Sequence, residues 1–238
     1  MHKEVVQNIK ENQTLLDICE DGYRVQVKNV DGMMVWYQND TPILFSLGSE
    51  VCRLVKAAQI SGVDNKILVG GLGFGNTCES AAVYGDVTVV ELLNEAITFY
   101  LDYCPNPNFQ IVNGDFKKYI EATNKKFDYI LMQIDFPGHD LGYQYCVKQN
   151  AEMYTEKFLT TLSSCLSTDG VFVLEGVCEH NRPSRLERTL EKSGFTVTST
   201  RKPFVENRAN FTGSFDYMRF VCKRNIIINE NTEESNGD

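Results

Sequence analysis

The chain is poor in the residues that build several common kinds of site. It has three histidines and one tryptophan in 238 residues, and none of its eight cysteines falls in a C-x-x-C pair. A zinc centre needs thiolates and imidazoles at clustered spacing, so no metal is expected. No apolar run approaches the ~18–20 residues that span a bilayer. The amino-terminal stretch MHKEVVQNIKENQTLLDICEDG has no apolar core of signal-peptide type. Together these absences predict a cytoplasmic protein with no membrane partner. Its thiols should then be reduced, and those inside apolar runs such as SSCLS and FVCK should be buried. Positive charge is scarce as well: 23 Lys and Arg stand against 32 Asp and Glu, a net charge of −9. Nucleic-acid backbones are held by clustered basic residues, so no nucleic-acid partner is expected. The acidic balance suits a cationic small substrate, although acidity also serves solubility alone.

What is present points to one soluble domain with a small appendage. Apolar residues make up 42% and charged residues 23%, ordinary values for a globular protein. Three segments are expected: 1–45 with a small β-region, 46–223 as the main domain, and 224–238 as a disordered acidic tail. In YRVQVKNVDGMMVWYQNDTPILF, Tyr23, Val25 and Val27 alternate with the two-residue period of a strand, and Asp31-Gly32 is a hairpin signal. Two or three short strands should lie there. SEVCRLVKAAQIS over 49–61 fits a helix capped by Ser49 and ended by Gly62.

From residue 66 strands and helices alternate. KILVGG, VTVVE, FQIVNGD, FDYILMQID and GVFVLEG read as strands. NTCESAAVYG, NEAITFYLDYC, KKYIEA, AEMYTEKFLTTLSSCL and PSRLERTLEKSG read as helices, the fourth with Tyr154, Phe158, Leu162 and Leu166 as its stripe. Thr168-Asp169-Gly170 reads as a turn. FTVTSTRK and FDYMRFVCK close the pattern with no helix between them, which predicts an antiparallel edge hairpin. The fold class expected is α/β: a Rossmann-like, doubly wound, mainly parallel sheet preceded by a small β-region.

The first strand of that alternation runs straight into glycines, KILVGGLGFGNT. Ligands of doubly wound sheets bind beyond the carboxyl ends of the strands, and glycines there let a nucleotide approach the backbone. Gly71, Gly73 and Gly75 meet that description. Glu91 ends the next strand, where a carboxylate can accept from both hydroxyls of a ribose. Asp115 ends the third and could accept from an exocyclic adenine amine. An adenosyl-type ligand is favoured over a dinucleotide, because nothing marks a pyrophosphate or nicotinamide site. Plain turn glycines are the alternative.

Residues 64–223 resemble the spermidine synthase (polyamine aminopropyltransferase) family, within the class I S-adenosylmethionine-dependent fold. The likeness is carried by MYTEKFLTTLSSCLSTDGVFVLEGVCEH, with its helix, "DGV" turn and strand, and by FDYILMQIDFPG. It implies that Gly71, Gly73 and Gly75 line a thioadenosine pocket, with Phe74 and Phe116 beside it, Glu91 on the ribose and Asp115 near adenine. It also implies decarboxylated S-adenosylmethionine or S-adenosylmethionine as co-substrate, a small-molecule amine as acceptor, and a homodimer. Three positions depart from the family. Phe74 stands where the family has an aspartate that holds the cofactor amine. Gln133 stands at the family's catalytic aspartate. Around Leu47-Gly48-Ser49-Glu50, only Glu50 corresponds to the family's tyrosine-glutamine-glutamate signature.

Aminopropyl transfer needs a group that takes a proton from the acceptor ammonium, and an amide does not do so at neutral pH. Asp135, two residues beyond Gln133 and on the same side of an extended strand, is the candidate. Capping the following loop is its ordinary alternative role. His139 and Asp140 lie in the same loop. Phe74, Phe136, Tyr143 and Tyr145 could hold a sulfonium or alkylammonium by cation–π attraction, and Glu175 or Glu179 could bind a distal amine. Three functions are therefore open: aminopropyl transfer, methyl transfer or other use of intact S-adenosylmethionine, and nucleoside binding without catalysis.

Overall fold

The computed structural model describes residues 10, 13–20, 23–30, 33–38, 41–45, 53–132, 134, 152–179, 183–204 and 215–225. Four short strands come first: β1 (Thr14–Glu20), β2 (Tyr23–Val30), β3 (Met33–Gln38) and β4 (Thr41–Phe45). They pair antiparallel in that order. The two or three strands expected in 23–45 are the three strands β2, β3 and β4, and β1 is an additional strand upstream of the segment read as β. Its side chains at Leu15, Leu16 and Ile18 are only half-buried, and its pairing slips between Thr14 and Leu16, so the apolar alternation is blurred.

Helix α1 is described over Arg53–Ala58 and buries Leu54, Val55 and Ala58, while Ser49, the expected cap, lies outside the described residues. Gln59 ends it in a left-handed conformation (φ 50°), before Gly62 is reached. Strands and helices then alternate through β5 (Asn65–Gly70), α2 (Asn76–Ala81), β6 (Gly85–Glu91), α3 (Asn94–Tyr103), β7 (Gln110–Asn113), α4 (Phe116–Ala122) and β8 (Phe127–Met132). A 3₁₀ turn (Glu152–Tyr154) leads into α5 (Glu156–Ser164), which Thr155 caps by accepting from the Phe158 N–H at 3.3 Å. The helix expected over AEMYTEKFLTTLSSCL is therefore split. Tyr154 lies in the 3₁₀ turn and Leu166 already in β9 (Leu166–Glu179), yet Tyr154, Phe158, Leu162 and Leu166 share one buried cluster. The Thr168-Asp169-Gly170 turn becomes an irregularity inside β9. Phe127 pairs with Leu166 and Tyr129 with Val171, so the extra residues bulge out of the ladder. Helix α6 (Pro183–Lys192) and the antiparallel pair β10 (Phe195–Phe204) and β11 (Phe215–Arg224) are the last described elements.

The seven main strands lie in the order β10-β11-β9-β8-β5-β6-β7, parallel from β5 to β9, with β11 antiparallel to both of its neighbours. Near-continuous apolar strands such as Ile67–Gly70 follow from this, since both faces are covered. One face carries α4, α5 and α6 over Leu68, Ile130, Met132, Phe172 and Phe220. The other carries α1, α2 and α3 over Ile67, Val69, Leu131 and Val173. The fold class read from the sequence is the one observed. Among the described residues no helix is long and apolar enough to cross a membrane. Cys78, Cys165 and Cys222 are buried free thiols and Cys104 is half-buried, while Cys19 is exposed. The segment read as a disordered tail lies, from residue 226 on, outside the described residues.

Candidate active site

Strand β5 pairs with β6 on one side and β8 on the other. The chain leaves β5 towards β6 and β7, then returns to build β8, β9 and β11 on the opposite flank. Such a reversal opens a crevice at the carboxyl ends of the central strands. The glycine segment begins there. Gly71, Gly73 and Gly75 all have positive φ (89°, 51° and 78°), a backbone region closed to most side chains. The loop is tied down by Gly71 N–H donating to the Val90 carbonyl at 2.9 Å and Gly75 N–H donating to the Leu72 carbonyl at 2.8 Å.

Gly75 has a second reason to be glycine. A Cβ there would stand 2.3 Å from Cε2 of Tyr100, a fully buried ring whose hydroxyl donates to Glu79 at 2.9 Å. Room at this position serves the protein's own packing. Gly70 is similar, since an added Cβ would stand 3.0 Å from the ring of Phe116.

Glu91 is held at the crevice by several hydrogen bonds. One carboxylate oxygen accepts from the Leu72 N–H at 2.8 Å and the other from the Leu93 N–H at 2.9 Å. Its main-chain carbonyl accepts from the Gly114 N–H at 2.8 Å. One residue thus joins the loops that follow β5, β6 and β7. Each carboxylate oxygen has capacity for a further hydrogen bond, so a fixed and half-buried carboxylate can still meet a vicinal diol. Beside it Leu92 is 56% exposed, an apolar side chain left open at the rim. Asp115 lies past the end of β7 and caps α4, its Oδ1 accepting from the Lys118 N–H at 3.0 Å. Phe116 follows it into the core at 5% exposure.

Against known proteins, 175 residues are 25% identical to a polyamine aminopropyltransferase from Erwinia tasmaniensis. The match covers 68% of this chain and 56% of that one. The chain therefore spans little more than half the length of the relative. In structure, spermidine synthase from Thermotoga maritima is similar over 90% of this chain and 73% of its own, with a TM-score of 0.61 and 17% identity. No protein-family model matches. The chain is thus similar in sequence to polyamine aminopropyltransferases and shares its fold with spermidine synthase. Its fold is shared more widely, for an N-methyltransferase from Bradyrhizobium japonicum solved with S-adenosyl-L-homocysteine matches 72% of the chain at a TM-score of 0.54 and 14% identity.

Phe74, the loop residue for which the resemblance implies an aspartate, turns its side chain away from the crevice. The Phe74 ring is 1% exposed and packs with Val25, Val27 and Met34 of the amino-terminal sheet and with Ala96 and Phe99 of α3. The cation–π role considered for Phe74 is thus corrected: a ring enclosed by apolar neighbours presents no face to a sulfonium. Gln133, Asp135, Phe136, His139, Asp140, Tyr143, Tyr145 and Glu50 lie outside the described residues, as does the side chain of Glu179. Ile134, between Gln133 and Asp135, is described, and its carbonyl accepts from the Tyr154 hydroxyl at 2.7 Å. Glu175 is 3% exposed, and its Oε1 accepts from Arg219 at 2.9 Å. Leu92 and Tyr154 were not singled out by sequence reasoning. An apolar residue directly after a strand-end acid was the available signal for Leu92. Tyr154 was read only as part of a helical stripe.

Proposed function

We propose that the chain is an aminopropyltransferase that uses decarboxylated S-adenosylmethionine and a small amine. The observation that carries the reading is the similarity to polyamine aminopropyltransferases over 175 residues, joined to the glycine loop and the Glu91 carboxylate at the crevice. In this reading the main chain at Gly71 and Gly73 faces the thioadenosine, Glu91 holds the ribose hydroxyls, Leu92 supports the purine, and Asp115 offers its free oxygen to the adenine amine.

The transfer is a displacement at carbon. The acceptor nitrogen, whose ammonium has a pKa near ~10 by analogy with lysine, first gives up a proton. Its lone pair then attacks the propyl carbon next to the sulfonium. The carbon–sulfur bond breaks with its electron pair passing to sulfur, leaving methylthioadenosine as a neutral thioether. Asp135 is the proposed proton acceptor and Gln133 a hydrogen-bonding neighbour, both directly downstream of β8. The Tyr154 bond to the Ile134 carbonyl would steady the peptide between them. Homodimer formation is part of the same proposal, and sedimentation of the full chain tests it.

Methyl transfer from intact S-adenosylmethionine is the second reading, favoured by the position of Phe74. With that side chain packed against the amino-terminal sheet, the glycine loop supplies no carboxylate at that position for the amine of a decarboxylated cofactor. Mass spectrometry of an amine mixture incubated with each cofactor separates the two. A propylamine increment from the decarboxylated cofactor is expected, and a methyl increment from the intact one would replace the first reading by the second. Tight nucleoside binding with no increment from either would leave the non-catalytic alternative.

A further inference from the structure

The carboxyl edge of the sheet at β9 and β11 carries a charge pair, Glu175 with Arg219. The last parallel pairing of β8 with β9 joins Met132 to Leu174, so Glu175 stands one step beyond it, at the carboxyl edge of the sheet. The antiparallel register sets Arg219 of β11 directly opposite Glu175. Val171, Val173 and Val221 pack on the face covered by α1, α2 and α3. By the two-residue alternation Glu175 and Arg219 continue that face to its rim. Nη2 of Arg219 donates to Oε1 of Glu175 at 2.9 Å, with side-chain exposures of 22% for the arginine and 2% for the glutamate. Nε of Arg219 is buried and donates to nothing among the described residues.

Two consequences follow from this geometry. The carboxylate considered as a holder of a distal ammonium is already neutralised, and a second ammonium brought there would meet a guanidinium of its own sign. A guanidinium has five donors in a planar fork, and a buried donor without a partner is costly. A planar carboxylate is the group that fits such a fork. We propose that the β9–β11 rim is a subsite for a carboxylate, so that the acceptor is an amine bearing an acid group rather than a diamine or longer polyamine. This rests on the transfer reading above for the word acceptor. The subsite itself does not require catalysis.

The test compares γ-aminobutyrate with putrescine, which have amines at similar distances from a carboxylate and from a second ammonium. Calorimetry is run on the full chain with and without methylthioadenosine, and transfer from decarboxylated S-adenosylmethionine is followed in parallel. The aminocarboxylate should bind more tightly by about tenfold or more, the scale of one hydrogen bond between charged groups. Arg219→Gln should abolish that preference, whereas Glu175→Gln, which frees the guanidinium, should strengthen it. A pair that only holds β9 to β11 would lower the melting temperature in both variants and leave the ligand order alone. Tighter binding of putrescine, equal binding, or no binding of the aminocarboxylate overturns the proposal. Carboxylate preference without any transferred group sinks the reaction reading and leaves the subsite standing.

Discussion

Glu91 shows how one side chain can organise a site and still be available to a ligand. Its two oxygens accept from backbone N–H groups on different loops, at Leu72 and Leu93. A glutamine at this position has one accepting oxygen and one amide nitrogen, so either rotamer sets a donor against one of those N–H groups. Leaving a part-buried donor unmatched costs about 1–3 kcal/mol. Glu91→Gln should therefore lower stability by that order in denaturant melts, and weaken methylthioadenosine binding by about tenfold or more, since tenfold is only ~1.4 kcal/mol. An intact fold with unchanged nucleoside affinity would remove Glu91 from the ligand site. Its place was legible in VTVVE, because a strand-end acid after a glycine loop is a local pattern. The role of Gly75 was not legible, because the ring it accommodates, Tyr100, belongs to α3, beyond the next helix and strand, and meets it only in three dimensions.

Among elements, the amino-terminal sheet and the glycine loop are mechanically joined. Phe74 lies between them with Val25, Val27, Met34, Ala96 and Phe99. Phe74→Asp, which introduces the residue type that the resemblance implies at this position, removes a buried ring worth about 3–5 kcal/mol in truncation series. It also buries a carboxylate among apolar groups, a further penalty. Earlier proteolysis of the first 45 residues and no gain in affinity for decarboxylated S-adenosylmethionine are expected. A stable variant that binds this cofactor more tightly would mean that position 74 faces the crevice after all. The same sheet carries an acid-sensitive contact. Arg24 and Gln26 donate to Asp17 across β1 and β2, and chiefly the Arg24 bond holds its carboxyl down at about 2. A carboxyl whose folded pKa is depressed stabilises the fold above its unfolded value, and loses that contribution as pH falls through the folded one. The stability difference between the native chain and Asp17→Asn should thus be constant above about pH 4 and vanish towards pH 2 in melts across that range. A difference that persists at pH 2 would show that Asp17 acts by packing. TLLDICE itself was missed although Asp21-Gly22 after it is the same hairpin signal that was used at Asp31-Gly32; half-buried side chains gave it too weak an alternation.

At the scale of the molecule, the alternation of elements was enough to specify the doubly wound sheet, because each strand–helix unit has its own period and its own stop signals. The surroundings of the crevice were not specified in that way. Strand β9 continues beyond β8 through residues 175–179, and β10 and β11 extend with it, so an antiparallel extension stands beside the loop that leaves β8. Pairings of this kind join residues far apart in sequence, which no local pattern encodes. They also make the site a joint product of the whole fold, since Glu91 alone binds together the segments after β5, β6 and β7. A ligand that bridges those segments should stabilise the folded chain as a whole. At a free concentration of a hundred times its dissociation constant, a ligand that binds only the native state adds about 2.7 kcal/mol. For a chain of this size each kcal/mol moves the melting temperature by about 2–4 °C, so a rise of about 5–10 °C is expected with methylthioadenosine. The Glu91→Gln variant at the same concentration should show a smaller rise, because its weaker affinity brings it closer to half-saturation. Scanning calorimetry of both proteins checks this. Equal shifts would mean that the nucleoside is held by some other part of the chain.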